Sequence, residues 1–437
     1  MIEDIFNELN KKDLDRRQNY ARYLTFYGGQ QWERPERQGE KHLTFNYAKV
    51  FVDKITSYLL HDVSIAIDPI SDTEEAINQA SEAEKAISLV ADLNDLEMLD
   101  HDTEIDAAIL GDGCYKVTWG GDTVKITAPD VQGVFAWWVP DDPSQVYQIA
   151  SQYTNDDGDS ILEVWTDLFY TYYVNNQLIY HTPNPYGFIP FIIFPNLREP
   201  KQFWGKSDIP DLMETQRELN KSMSQVGHIL ELSGNPIAVL ENIEQAEDIA
   251  VRPGAVWEIP EAAKAYLLDL LQGGGIRLHL EYIELLYRIL HDTSESPKSA
   301  YGRTERDLSG IALEIEMQPL LQKVNRKRLI RSSVYRRRAN MILKLLKQYK
   351  GLDFGQVAPR LCWGSVLPLD RGRIVADEVQ LVEKGVHSRK TAMEGVGIED
   401  TDAEFTQWLE ERDLIMSQNT AHNAKGSKDI ARESDKS

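Results

Sequence analysis

Trp204-Gly205-Lys206-Ser207 sets a lysine and a hydroxyl directly behind a glycine, the combination with which a phosphate-binding loop grips a nucleotide. The full pattern needs another glycine five residues before Gly205, where this chain has Pro200. It also needs a strand directly in front, and here ten loop-like residues follow Phe194. Gly205 therefore reads as a sharp turn and Ser207 as the cap of the next helix, with Asp208 in its first turn. Gly273-Gly274-Gly275 lacks a following Lys-Ser/Thr pair and reads as a hinge. The nine histidines include no pair at i, i+4, and neither H-E-x-x-H nor Cys-x-x-Cys occurs. Cys114 and Cys362 are the two cysteines, too few for a disulfide scaffold or a cysteine zinc site. Asp100, Asp102, Glu104 and Asp106 could gather a divalent metal as in a nuclease. Among 70 acids they read instead as a solvated helix face. No catalytic, cofactor-binding or metal-binding residue is expected.

Charge says more than these motifs. Against the 70 acids stand 47 Lys and Arg, a formal net charge of −23 over 437 residues. That balance excludes a protein that coats nucleic acid by counterion release, and an anionic membrane as partner. An apolar fraction of 42% excludes wholesale disorder. The first residues are charged from Glu3 onward, unlike a signal peptide, and no apolar run approaches the ~20 residues of a membrane span. A soluble, cytoplasmic-type protein is expected. Yet residues 321–350 hold eleven basic residues and no acid, among them Lys323, Arg326, Lys327, Arg328 and Arg331. Such a helix could touch nucleic acid, or interlock with an acidic face of a neighbouring subunit. Interleaved Leu329, Ile330, Val334, Met341, Leu343 and Leu345 make it a packing element as well.

The elements that position these residues follow from periodicity. Helical spacing marks residues 1–25, a helix opening at Phe45-Asn46-Tyr47, and a stretch from Thr73 to Leu110 with a break at 92–95. Period two then marks strands at 114–119, 124–127, 134–138, 146–153, 161–165 and 169–174, an aromatic antiparallel meander closed by a buried strand within 187–194. A stripe of Ile209, Leu212, Leu219, Met223, Val226 and Leu230 predicts a long helix, and Ile276 to Leu290 a second. Between them lies an insertion with short strands at 237–240, 255–259 and 265–270. Residues 291–308 read as a polar loop containing Lys298, Arg303 and Arg306. It is either a plain surface loop or one that touches a phosphate backbone weakly. A helical region from Ser309 to Lys350 follows, then a strand at Trp363, a helical unit from Asp370 to Met416, and a polar tail.

The order of these parts resembles the portal proteins of tailed double-stranded DNA bacteriophages. The likeness is carried by Asn46-Tyr47-Ala48-Lys49-Val50-Phe51, Gly113-Cys114-Tyr115-Lys116-Val117, Gly187-Phe188-Ile189-Pro190-Phe191 and Gly205-Lys206-Ser207-Asp208-Ile209. Glu218-Leu219-Asn220-Lys221-Ser222, Ser309-Gly310-Ile311-Ala312-Leu313, Leu367-Pro368 and Glu383 to Ala392 continue it to about residue 415. The resemblance implies an α+β fold: a wing (1–206), stem helices (207–231 and 276–293) and a small β-containing clip between them (232–275). It further implies a tunnel loop (294–308), a long wing helix and strand (309–369) and a helical crown (370–416), while the composition of 417–437 reads as a disordered tail.

It implies a closed ring, usually a dodecamer, at one capsid vertex of the virion, assembled in the host cytoplasm. Double-stranded DNA would pass through the ring without sequence recognition, in during packaging and out during ejection. The partners implied are the terminase large subunit, head-tail adaptors, and capsid and scaffolding proteins, with no membrane, cofactor or catalysis. Lys298, Arg303 and Arg306 would then face DNA. Two other classes stand beside this one. A packaging nuclease or ATPase is opposed by the incomplete phosphate loop. A DNA-binding regulator using Ser388 to Trp408 is opposed by that segment's acids, Glu394, Glu399 and Asp400 among them.

Overall fold

A computed structural model of the chain describes residues 2–36, 41–234, 238–241, 264–267, 275–302, 310–366, 371–398, 400–401 and 403–412. The chain divides into two units, Met1–Val366 and Leu367–Ser437. In the first, α1 (Ile2–Lys11) and α2 (Leu14–Tyr27) are separated at Asp13, whose φ of 54° breaks the helix. Asn46 caps α3 (Tyr47–Leu59) by accepting from the Lys49 amide at 3.2 Å. After β1 (Val63–Pro69), Thr73 caps α4 (Glu74–Leu93), where Glu74 and Glu75 suit the positive helix end. The expected break falls at Asp95, again left-handed, before α5 (Leu96–Leu110). Short aspartate side chains tolerate that conformation better than most.

The strands β2 (Asp112–Gly120), β3 (Thr123–Thr127), β4 (Val134–Val139), β5 (Asp142–Thr154), β6 (Ser160–Trp165), β7 (Phe169–Val174), β8 (Gln177–Pro183) and β9 (Phe191–Pro195) follow. Strands β4 to β8 form the antiparallel meander in sequence order. The closing strand β9 does not join it. It pairs with β2, Cys114 opposite Ile193, in a separate sheet ordered β3-β2-β9. Two strands were not expected. β8 is exposed at every residue and so lacks a buried face to signal it. β1 pairs only with a distant strand near the end of the unit.

Helix α6 (Pro210–Gly234) is followed by β10 (Ala238–Glu241), antiparallel to β11 (Lys264–Leu267), and then by α7 (Gly275–Ser294). The strand expected at 255–259 and most of the insertion lie outside the described residues. A 3-10 turn (Lys298–Tyr301) leads toward α8 (Gly310–Lys350) and β12 (Val357–Trp363), the partner of β1. The loop expectation for 294–308 needs correcting over its first half. Ser294, Ser296 and Ala300 are buried, and Ser296 bonds Tyr301. Residues 303–309 lie outside the described residues, as does the tail.

Three cores hold this unit together. One joins α2, α3, α5, α6 and α7 to the meander through Phe26, Phe51, Ile209, Leu212, Leu286 and Leu290. Another packs α8 and α4 against the three-stranded sheet through Tyr335, Ile342, Tyr115 and Phe194. A small third core seats Leu9 of α1 on the opposite face of the meander, against Leu162 and Tyr173. The second unit holds α9 (Arg371–Glu383), α10 (Arg389–Gly395, capped by Ser388) and helical residues 403–412. There Phe405 stacks on Trp408, with Arg389 over the Trp408 ring. Helix at 54% and strand at 22% make the chain α+β.

Candidate functional site

Helix α8 carries the basic run, and five of its eleven cations, Lys323, Lys327, Arg328, Arg331 and Arg338, point inward. Lys323 reaches Asp208 Oδ1 at 3.0 Å and the Ser294 carbonyl at 3.1 Å. Lys327 donates to Asp208 Oδ2 at 2.6 Å. Asp208 lies just ahead of α6 and Ser294 ends α7. One lysine therefore touches the beginning of one helix and the end of the other, so the packed pair α6–α7 runs antiparallel. Arg326, half exposed, adds a bidentate contact to Glu295 at 2.6 and 2.7 Å. Together these bonds clamp the foot of the helix pair onto α8.

Further along the same face Arg331, with no exposed surface, meets Glu104 through Nε and Nη2, both at 2.7 Å. Its Nη1 donates to the carbonyls of Pro195 and Asn196 at 2.9 Å each. Arg338 is bidentate to Asp100, which also accepts from Tyr115 at 2.8 Å. Arg328 donates to the carbonyls of Tyr58, Leu59 and His61 at the end of α3, where a cation suits the helix terminus, and to Gly364. These fixed forks match carboxylates and carbonyls in a way lysine does not.

The electrostatics agree with the geometry. Burial alone pushes the Asp208 carboxyl up, but Lys323 and Lys327 outweigh it and hold it well below the usual carboxylate range. Burial draws Lys327 down, with Asp208 opposing. Arg331 and Arg338 are each raised, since Glu104 and Asp100 overcome the cost of burial.

Two expectations are thereby corrected. Lys323, Lys327, Arg328 and Arg331 are buried and bound within the subunit, so they are not free to meet DNA or a neighbour's acidic face. Arg326 alone of the five is substantially exposed, and it is paired. Asp100 and Glu104 are not solvated but are the buried partners of α8, whereas Asp102 and Asp106 are exposed. Asp208, Glu104, Asp100, Arg338 and Ser294 were not singled out as partners from the sequence. The signal was present in part, since Asp100 and Glu104 stand one helical turn apart, as do Lys327 and Arg331.

Gly205-Lys206-Ser207 is a structural turn. The Gly205 amide already donates to the Asp112 carboxylate at 2.7 Å, which leaves it unavailable to a phosphate. A Cβ at Gly205 would come within 2.4 Å of the Gly111 carbonyl. Lys206 pairs with Asp211 at 2.6 Å, and Ser207 donates to Ile109 and accepts from the Ile209 amide. Lys298, half-buried in the 3-10 turn, sits 5.2 Å over the Tyr287 ring. Arg303 and Arg306 lie outside the described residues. Among the described residues no group of three His, Cys, Asp or Glu could hold a metal ion.

Two helices bracketing an insertion were expected from the sequence; that they run antiparallel and are clamped at their foot by the long helix was not. A comparison with protein families decides what the arrangement means: the family described as "Phage portal protein, SPP1 Gp6-like" matches residues 7–418. The chain belongs to this phage portal protein family. No curated protein matches it. The portal match reaches into both units and includes every element from α2 onward. No described helix of this portal family member is long and apolar enough to cross a membrane.

Proposed function

We propose that the protein is the ring-forming portal subunit at one capsid vertex of a tailed phage, through which a separate ATPase pumps double-stranded DNA. Residues 1–206 and 309–369 form the wing, α6 and α7 the stem, 232–275 the clip and 370–416 the crown. The clip docks the terminase motor first and head-tail adaptors later. Membership of the family carries the ring and the vertex. The observation that carries the assignment of the stem is Lys323, which joins the foot of both helices to α8. A strut fixed in this way transmits load from stem to wing through buried, charge-assisted bonds that salt screens little.

DNA must slide in such a channel. Multiple phosphate neutralisations repeated around a ring would hold it, whereas an acidic wall with few cations lets it pass. Lys298, Arg303 and Arg306 are the cations assigned to the channel, and contacts to phosphate suit their lack of sequence preference. Two measurements test the reading. Negative-stain images of purified protein should contain rings with a central channel; a monodisperse monomer at micromolar concentration sinks the ring. Replacing Lys298, Arg303 and Arg306 together by Ala should leave rings intact and alter packaging or DNA retention. Rings that fall apart would make these residues interface instead.

A further inference from the structure

Helix α7 has four unlike sides. Leu286 and Leu290 are buried on the side that faces the core. Leu278, Tyr282, Leu285 and Ile289 recur at steps of four, three and four, the spacing of a coiled-coil seam. They are nevertheless exposed, at 69%, 42%, 47% and 38%. At roughly 100° per residue they form one straight ridge. Leu280, Glu284 and Tyr287 lie about 180° around the helix from that ridge. There they line an open, mostly apolar pocket of ≈ 180 Å³ with Phe45, Tyr47 and Met223. The remaining side carries Arg277 and Glu281, paired with each other at 2.9 Å, and Arg288, 4.0 Å from Glu284.

A ridge on one side of a helix and a pocket on the opposite side are the two halves of a head-to-tail contact. A patch that fits a pocket elsewhere on the same molecule produces a heterologous interface, which closes into a ring when the rotation permits. The pocket exceeds the ~150 Å³ that admits benzene, so it has room for a tyrosine ring or a leucine side chain. The chemistry also matches: the ridge has one polar group, the Tyr282 hydroxyl, and the pocket one carboxylate, Glu284. Four exposed large apolar residues in one row are also a liability for a free monomer unless something covers them.

We infer that a second copy of this chain covers them: the Leu278–Tyr282–Leu285–Ile289 ridge of one subunit enters the pocket between α6, α7 and the start of α3 in the next. This inference rests on the ring reading above and assigns the stem its lateral contact. The test uses full-length protein in three forms. The ridge variant Leu278→Lys/Leu285→Lys and the pocket variant Leu280→Lys alter exposed positions, so each should keep the parent's far-UV circular dichroism and melting temperature. Each alone should lose rings in negative stain and native mass spectrometry. Mixed together they should form one-to-one dimers, since one good ridge and one good pocket remain.

In a third form, Leu280→Cys/Leu285→Cys, oxidation should give a ladder of covalently joined copies, and neither single cysteine should. Parent protein that forms rings, with rings surviving in both lysine variants, overturns this contact and leaves the ring reading standing. The same holds for variants that keep their rings but lose binding of an adaptor, which would make another protein the occupant. A parent that stays monomeric, with no ladder from the double-cysteine form, overturns both.

Discussion

Replacing Arg331 by Met should cost about 3–5 kcal/mol of stability, the penalty for breaking a buried ion pair from one side. The magnitude follows from what is stranded. Glu104, 1% exposed, loses both of its guanidinium bonds, and the carbonyls of Pro195 and Asn196 lose the two bonds from Nη1. Methionine fills the volume but satisfies none of these groups. Glu104→Leu should cost a similar amount by stranding the guanidinium. The double variant Arg331→Met/Glu104→Leu removes both charges, so it should cost clearly less than the two singles together, with a coupling of about 2–3 kcal/mol.

Equilibrium urea unfolding at one fixed protein concentration measures this. Tryptophan fluorescence and far-UV circular dichroism should give coincident transitions before free energies are compared. The loss should be the same at about 0.1 M and about 1 M salt, since a buried pair is little screened. Arg331→Met within about 1 kcal/mol of the parent would refute the reasoning. The guanidinium would then not carry the interior network, and its charge would be available to DNA or a neighbouring subunit.

Asp208 serves two lysines, so Lys327→Met should cost about 1–2 kcal/mol by leaving a neutral Asp208–Lys323 pair, whereas Asp208→Ala should cost about 3–5 kcal/mol; melting curves of the two variants check the order. Asp112 is pushed up to about 6 by burial, partly opposed by its bonds from Tyr20 and the Gly205 amide. A carboxyl whose folded value lies above its ordinary 3.8 stabilises the fold below about pH 4, and that stability is lost as pH rises through 6. Asp112→Asn should flatten this slope by about 1–3 kcal/mol in unfolding measured at pH 5 and pH 7. Gly205→Ala should lower stability by about 1–3 kcal/mol, because its methyl group would meet the backbone of Gly111 and Pro195. The parent should bind no ATP in an equilibrium dialysis assay; measurable binding or hydrolysis would restore a nucleotide role for the turn.

Local patterns carried much of the fold. Period two gave β4 to β7 within a residue or two at most ends, and the acidic break at 92–95 separated α4 from α5. Long-range pairing was not legible. β1 and β12 meet with Val63 opposite Trp363, and nothing in either short apolar segment names the other. β9 reads as the end of the meander because it follows the meander in sequence, yet its buried residues fit β2. The role of α8 was half legible. Leu320, Val324, Lys327, Arg331, Tyr335, Arg338 and Ile342 recur at steps of three and four and are all buried. The apolar stripe thus runs straight through the cations. A cation that falls in register with a core stripe is an interior residue awaiting its acid, and only the fold shows that the acids are Asp208, Glu104 and Asp100.

That register changes what the net charge means. The buried charged residues among those described are five acids, Asp100, Glu104, Asp112, Glu163 and Asp208, and five bases, Lys323, Lys327, Arg328, Arg331 and Arg338. Among the described residues the buried charges therefore cancel and contribute nothing to the formal −23. The basic helix offsets only part of the acid excess, because five of its eleven cations are spent on buried contacts. A surface of this kind repels a phosphate backbone over distances of about a Debye length, roughly 10 Å at 0.1 M salt. For a protein that had to grip DNA the arrangement would be self-defeating. In the ring proposed above the same repulsion from every side would centre the duplex, and only cations carried close to the axis could touch it.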